Sequence, residues 1–299
     1  MKTPTIREFN ERFPTDDACL EHLMRTRYGA THVCAKCNRE ARYYRVKTRR
    51  CYECEHCGTQ VYPTAGTPFE NTRTSLKDWF FVMFLFCASR NGVAAKEVQR
   101  QIGVTYKTAW RMCNLIRQYM GYVDGDAPLG GNGSPVEVDE LFLGGRDKVG
   151  EGDKMIVFGM VERGGEAVTR GLQTGAERPR RPRAEEPVLG GVGVRPDDGR
   201  ANGRVPAWGY RHSTVNHAAK EWVREGVHTN SIESMWSILR RGINGTYIHV
   251  SPKHLQTYLW EFEFRYNLRK VPHLMFDLLL MAFPKPVAPL RKEVGQTAA

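Results

Sequence analysis

The chain has 299 residues, 41% hydrophobic and 26% charged, and its 44 Lys and Arg against 33 Asp and Glu give a formal net charge of +11. That length suits about two domains with a real core. The charge makes a polyanion a better partner than an acidic small molecule. No apolar run reaches the roughly 18–20 residues of a membrane span, and the opening MKTPTIREFNERFP lacks the apolar stretch of a signal peptide, so the expected location is the cytoplasm with no membrane contact.

Residues 1–30 read as a short helical segment with Phe9, Phe13, Cys19, Leu20 and Leu23 as its apolar positions. Residues 31–64 then carry Cys34-Ala-Lys-Cys37 and Cys54-Glu-His-Cys57 around a strand-like Arg42–Val46 stretch. The chain has eight cysteines, and in a reducing compartment these are metal ligands or buried apolar residues rather than disulfides. Two Cys-x2-Cys knuckles separated by sixteen residues fit a four-thiolate site for structural Zn²⁺ with Cys34, Cys37, Cys54 and Cys57 as ligands. Cys51-Tyr-Glu-Cys54 is a competing Cys-x2-Cys. The later pair is preferred because Gly58 follows it and supplies the permissive backbone of a knuckle turn. His56, between two proposed ligands, reads as exposed.

A helical region spans residues 70–123. Ser75 precedes the helical stripe Leu76, Trp79, Phe80, Met83, Phe84 and Cys87 as its N-cap. Helices over about 94–102 and 106–120, joined by Gly103-Val104-Thr105, have the outline of a helix-turn-helix whose longer helix bears Tyr106, Lys107, Arg111 and Arg117. Gly- and Pro-containing residues 125–134 mark the main domain boundary. Beyond it, Val136–Leu143, Met155–Val161 and Ala167–Thr169 read as a β-meander, and from about 213 to 285 the pattern is helical. Residues 286–299 form a tail.

Asp139 lies in Val-Glu-Val-Asp-Glu-Leu-Phe, a strand whose alternate side chains should enter a core, and a carboxylate there suits a ligand for a hard divalent cation. A solvated sheet edge is the alternative. Further on, Asn230, Glu233 and Arg240 fall on one helix face beside the apolar residues Ile232, Met235, Trp236 and Leu239, a pattern that an ordinary amphipathic helix also satisfies.

Taken together, Val138-Asp139-Glu140 with Gly144-Gly145, Gly159-Met160-Val161-Glu162-Arg163, Val215-Asn216-His217, His228-Thr229-Asn230 with Ile232-Glu233 and Trp236, Gly245-Thr246-Tyr247, His254-Leu255, and Glu261-Phe262 with Phe264-Arg265-Tyr266-Asn267 resemble a bacterial insertion-sequence DDE transposase. With Gly66-Thr67-Pro68-Phe69 after the ribbon, the resemblance covers nearly the whole chain. It implies a multidomain chain of α+β and α/β class: a zinc ribbon and helix-turn-helix, then an RNase H-like mixed β-sheet domain flanked by helices over 135–285. It also implies Asp139 as the first catalytic carboxylate and Glu233 as the third, with Asn230 as the alternative and Arg240 as the basic partner two turns on. Two Mg²⁺ ions held by Asp139 and Glu233 with a second aspartate would serve the cutting and joining of double-stranded DNA at element ends and target. A nucleoid-associated homo-oligomer on DNA would be the working form.

Residues 171–204 depart from that pattern, with seven Arg and no Ile, Phe, Tyr, Trp, Met, Lys, His or Ser. Such composition offers no apolar strand and suits either a compensated frameshift in a GC-rich gene or a disordered insertion. Asp197 and Asp198 are the only Asp candidates there for the second carboxylate, and thirty-five residues separate Asp197 from Glu233. A damaged copy would leave a non-catalytic zinc-ribbon and helix-turn-helix DNA-binding protein, the alternative function.

Overall fold

The computed structural model describes residues 3–125, 129–130, 134–144, 155–172 and 230–285. The chain forms two compact units, one from residues 1–89, 93–123 and 271–299 and the other from 90–92 and 124–270.

In the first unit, α1 (Ile6–Arg12) starts at Thr5, which exchanges hydrogen bonds with Glu8 in a capping box. Thr15 caps α2 (Asp16–Tyr28). The sequence pattern suggests one helical segment over 1–30. The structure has two, because Pro14 follows Phe13 and cannot continue a helix. Strands β1 (His32–Val33) and β2 (Glu40–Ala41) pair antiparallel, and β3 (Tyr43–Val46), β4 (Cys51–Cys54) and β5 (Gln60–Val61) form a second antiparallel sheet. Next comes α3 (Leu76–Ala88), capped by the Ser75 hydroxyl, which accepts from Asp78 N–H at 3.0 Å. Its stripe of Leu76, Trp79, Phe80, Met83 and Cys87 is buried as the spacing predicts.

Helix α4 (Ala95–Ile102) ends on Gly103 at φ 68°, and α5 (Tyr106–Asp124) runs four residues past its predicted end. The last helix, Met275–Ala282, belongs to this unit and not to the domain that the sequence extends to 285. Aromatic packing explains that: Phe276 lies 6.0 Å from Phe9 and Phe283 stacks on Tyr119 at 4.1 Å, ring centroid to centroid.

In the second unit, β6 (Val136–Leu143), β7 (Met155–Glu162) and β8 (Ala167–Leu172) make the expected antiparallel meander, with the third strand longer than its sequence signal. Strand alternation sends Glu137, Asp139, Leu141 and Leu143 to one face. Helices α6 (Asn230–Arg241) and α7 (Leu255–Asn267) cover that face through Ile232, Met235, Trp236, Leu239, Leu255, Leu259 and Phe262. Val136, Val138, Met160 and Val168 pack with Leu129 on the other.

Side chains of α7 take the place of a further strand along β8. Asn267 accepts from Ala167 N–H at 2.7 Å and donates to its carbonyl at 3.0 Å, Gln256 accepts from Gly171 N–H at 3.0 Å and donates to the Thr169 carbonyl at 3.1 Å, and buried Glu263 accepts from the Thr169 N–H and hydroxyl. An edge whose backbone groups are filled in this way offers no template for pairing with another chain.

Between α6 and α7, a π-helical turn (Gly242–Tyr247) leads to Ile248 at φ 63°, ψ −50°. The bond from His249 N–H to the Tyr247 carbonyl, at 2.6 Å, closes a γ-turn around it. Tyr247 is anchored by its hydroxyl on buried Glu261 at 2.7 and 2.8 Å. Ile248 is 81% exposed, so no packing offsets the strain of a β-branched residue at positive φ, about 1–3 kcal/mol. Ile248→Gly should therefore raise unfolding stability by roughly 1 kcal/mol, read as a higher denaturation midpoint. An unchanged or lower midpoint would show that the turn is unstrained.

Candidate functional site

Two identical backbone turns build the first site. Asn38 N–H bonds the Cys34 carbonyl at 2.8 Å, and Gly58 N–H bonds the Cys54 carbonyl at 3.0 Å. The residue after each second cysteine turns left-handed, Asn38 at φ 55° and Gly58 at φ 68°, which only Gly, Asn or Asp adopt readily. The four sulfurs of Cys34, Cys37, Cys54 and Cys57 all lie within 4.8 Å of one another, with Cys34 to Cys57 at 3.6 Å and Cys37 to Cys54 at 3.9 Å. A tetrahedral zinc ion with Zn–S bonds of about 2.3 Å requires sulfurs roughly 3.8 Å apart. Backbone N–H of Cys37 and the Tyr43 hydroxyl push the Cys34 thiol down to about 5, while burial pushes Cys37 up to about 11. Close thiols titrate apart, and a divalent cation at the centre lets four thiolates coexist. Cys51 is buried opposite Val46 in the β3–β4 pair, outside the cluster. His56 is exposed, as its position suggests.

The helical pair presents Tyr106, Lys107 and Arg111 to solvent at the start of α5, where the Thr105 hydroxyl caps the helix by accepting from Thr108 N–H at 3.3 Å. Arg117 departs from the predicted basic face. It is 2% exposed, donates to the Val93 carbonyl at 3.1 Å and lies 5.2 Å from the Phe86 ring, so it is a core residue.

The second site sits where α6 crosses β6. Glu137, fully buried, accepts from the backbone N–H of Ser231 at 2.8 Å and of Ile232 at 3.0 Å, and its other oxygen accepts from Arg163 Nε at 3.0 Å. A carboxylate from the sheet thus caps the helix N-terminus, where the orphan donors and the positive dipole end lie. Two residues on, Asp139 Oδ2 accepts from Trp236 Nε1 at 2.9 Å. Asp139 pairs with Gly159 across the sheet, and a Cβ at Gly159 would fall 2.3 Å from the Trp236 ring.

Of the sequence-predicted residues, the structure therefore brings Asp139 to α6, whose Asn230, Glu233 and Arg240 are all exposed. Glu233 lies one turn before Trp236. Asp197 and Asp198, with nearly all of 171–204, fall outside the described residues. Among the described residues the four cysteines are the only group of three or more metal-ligating side chains close enough to hold one ion. Glu137 and Trp236 were missed as site residues. The available signal was the alternation of β6, which puts Glu137 on the Asp139 face, and the placement of Trp236 one turn after Glu233.

A four-thiolate ribbon followed along the chain by a carboxylate-bearing meander crossed by a helix fits a transposase-type chain. Residues 14–60 match the transposase zinc-ribbon domain and residues 128–267 match the ISXO2-like transposase domain, and the chain belongs to that transposase family. It is 27% identical over 285 residues to an uncharacterised protein of transposable element ISH50 from Halobacterium salinarum, a match spanning 87% of this chain and 94% of that one. No solved structure matches it.

Purified protein should carry one zinc per chain by elemental analysis. Cys57→Ser should lose it and unfold the ribbon, whereas Cys51→Ser should keep it, and the opposite result would assign the ligands to the earlier Cys-x2-Cys, which shares Cys54 with the later one. Glu137→Ala removes the acceptor of the Arg163 guanidinium and of two helix N–H groups and should cost about 3 kcal/mol, measured by chemical denaturation. A loss under 1 kcal/mol would show that the cap is dispensable.

Proposed function

We propose that this transposase cuts and joins DNA strands at insertion-sequence ends through carboxylate-held metal ions. The observation that carries the reading is the bond between Asp139 and Trp236, which fixes the carboxylate of a buried strand beside the one helix that bears Glu233, Asn230 and Arg240. We assign the RNase H-like fold to residues 135–270, with the second carboxylate at Asp197 or Asp198.

The helix supports Glu233 over Asn230 as the third ligand. Strand β6 rises about 3.3 Å per residue and α6 about 1.5 Å. Glu137 is level with Ser231 and Ile232, and Asp139 is engaged by Trp236. Glu233 then sits about 4.5 Å below Trp236 along the axis and about 60° round it, whereas Asn230 sits about 9 Å below and about 120° round.

Asp139 and Glu233 would hold the ions together with the second aspartate, and their hard oxygens suit Mg²⁺. When bound, two such ions lower the pKa of an attacking water or 3′-hydroxyl and stabilise the leaving oxygen of an in-line displacement. The attacking oxygen forms a new bond to phosphorus as the original P–O bond breaks, and the leaving 3′-oxygen takes up a proton. Arg240, roughly 10 Å further along α6 from Glu233, would bind a neighbouring phosphate. The ribbon and the face of Tyr106, Lys107 and Arg111 would grip the duplex, in an oligomer that joins two ends in the nucleoid.

The full chain, incubated with DNA flanking its own gene, should nick that DNA only with Mg²⁺ or Mn²⁺, and Asp139→Ala or Glu233→Ala should lower nicking at least 10³-fold while binding persists. Binding without nicking by the unaltered chain would sink the catalytic reading and leave the non-catalytic DNA binder, with segment 171–204 as the cause.

A further inference from the structure

Two polar contacts join α6 to β6, and their spacings agree. From Glu137 to Asp139 is two strand residues, about 6.6 Å. From the midpoint of Ser231 and Ile232 to Trp236 is four and a half helical residues, about 6.8 Å. Strand and helix therefore run in the same direction and in step, with Glu137 riveting the lower end and Asp139 the upper. The lower rivet is wholly buried and joined to Arg163, which accounts for it as structure. The upper rivet is a half-buried aspartate that accepts from an indole, a bond that the neutral oxygen of an Asn would also accept.

The ring's seat is as specific as its hydrogen bond. Trp236 lies on Gly159, the cross-strand partner of Asp139, and a Cβ at Gly159 would meet its Cη2 at 2.3 Å and its Cζ2 at 2.6 Å. The bare glycine backbone lets the indole descend to the sheet, and there its N–H reaches the carboxylate of the paired residue. Ring and hydrogen bond together fix the rotation of the Asp139 side chain. Three residues before the same tryptophan is Glu233, and four after it is Arg240.

We infer that Trp236, seated on Gly159, is the positioning residue of the carboxylate site: its indole N–H holds Asp139 Oδ2 so that the carboxylate meets a divalent cation in one orientation, and its place on α6 sets the separation of Asp139 from Glu233. This rests on the metal-dependent reading above. A preoriented ligand binds a cation without first losing side-chain freedom, and partners of this kind, standing behind the ligand, change metal affinity about 10- to 100-fold. Trp236→Phe keeps an aromatic ring and loses the donor. Gly159→Ala keeps the donor and lifts the ring from its seat, so the two substitutions attack one contact from opposite sides.

The test uses the full chain with Mn²⁺ and Mg²⁺ as probes. Manganese affinity is measured by electron paramagnetic resonance, and the indole N–H resonances of the six tryptophans are followed during a Mg²⁺ titration. The resonance absent from Trp236→Phe should move first as Mg²⁺ is added to the unaltered chain. Both Trp236→Phe and Gly159→Ala should weaken Mn²⁺ binding about tenfold at unchanged zinc content, and nicking by each should recover when Mg²⁺ is raised. If either variant fails to fold, the other and the titration of the unaltered chain decide. Should Asp139→Asn abolish Mn²⁺ binding while both variants bind like the unaltered chain, the positioning role is wrong and the metal site stands. Should Asp139→Asn also bind Mn²⁺ normally, the metal-dependent reading falls and takes this inference with it.

Discussion

The second unit depends on a carboxylate placed where a charge is costly. Glu137 is buried among apolar side chains of β6 and α6, and an unpaired carboxylate there would lose several kcal/mol of hydration. Three donors offset that loss: two N–H groups of the first turn of α6, where the helix dipole is positive, and the guanidinium of Arg163. The Ile232 N–H, buried against the sheet, is itself a liability without the acceptor, because no intrahelical carbonyl can satisfy it. The requirement is therefore mutual, and it fixes where along β6 the helix begins. Everything that α6 carries inherits its height from that one contact.

The opposite side of the meander is held by a different device with the same logic. Strand β8 has backbone groups beyond those paired with β7, and three side chains of α7 satisfy them: Gln256, Glu263 and Asn267. They fall at intervals of seven and four residues, so they share a face of the helix. Leu255, Leu259 and Phe262 lie beside them in the apolar core. One helix thus buries hydrocarbon and completes a sheet edge at once. A platform gripped at both margins holds Asp139 in place while α6 presents its exposed residues.

How much of this was legible in the sequence depended on how local each signal was. The zinc ligands could be read because both members of each knuckle lie within four residues, and the left-handed residue after each pair is Gly58 or Asn38, types that mark such turns. Asp139 stood out as a carboxylate in an apolar strand. Glu137 stood in the same strand on the same face and was passed over, since its partners lie 26 and 94 to 95 residues away and two of them are backbone groups that no side-chain pattern reveals. Trp236 was assigned to an apolar stripe, correctly as far as burial goes, but periodicity gives the face of a ring and not the direction of its N–H. Arg117 was misassigned for the converse reason: a cation on an amphipathic helix reads as solvent-facing unless an aromatic partner and a carbonyl acceptor, here Phe86 and Val93, are known to wait inside.

The contrast between the two carboxylates of β6 bears on which function the fold serves. A structural acid should be saturated, and Glu137 is: both oxygens are engaged, one of them twice, and no water reaches it. Asp139 is half-buried and accepts from an indole N–H, a neutral donor that orients the carboxylate. Glu233 is exposed in the first turn of α6, one turn before Trp236. On the metal-dependent reading proposed above, carboxylates on this face would meet a divalent ion, whereas a protein that only grips DNA gains little from acids near a phosphate backbone that repels them. Phosphodiester chemistry of the proposed kind would set that ion between the carboxylates and the phosphate, two like-charged surfaces.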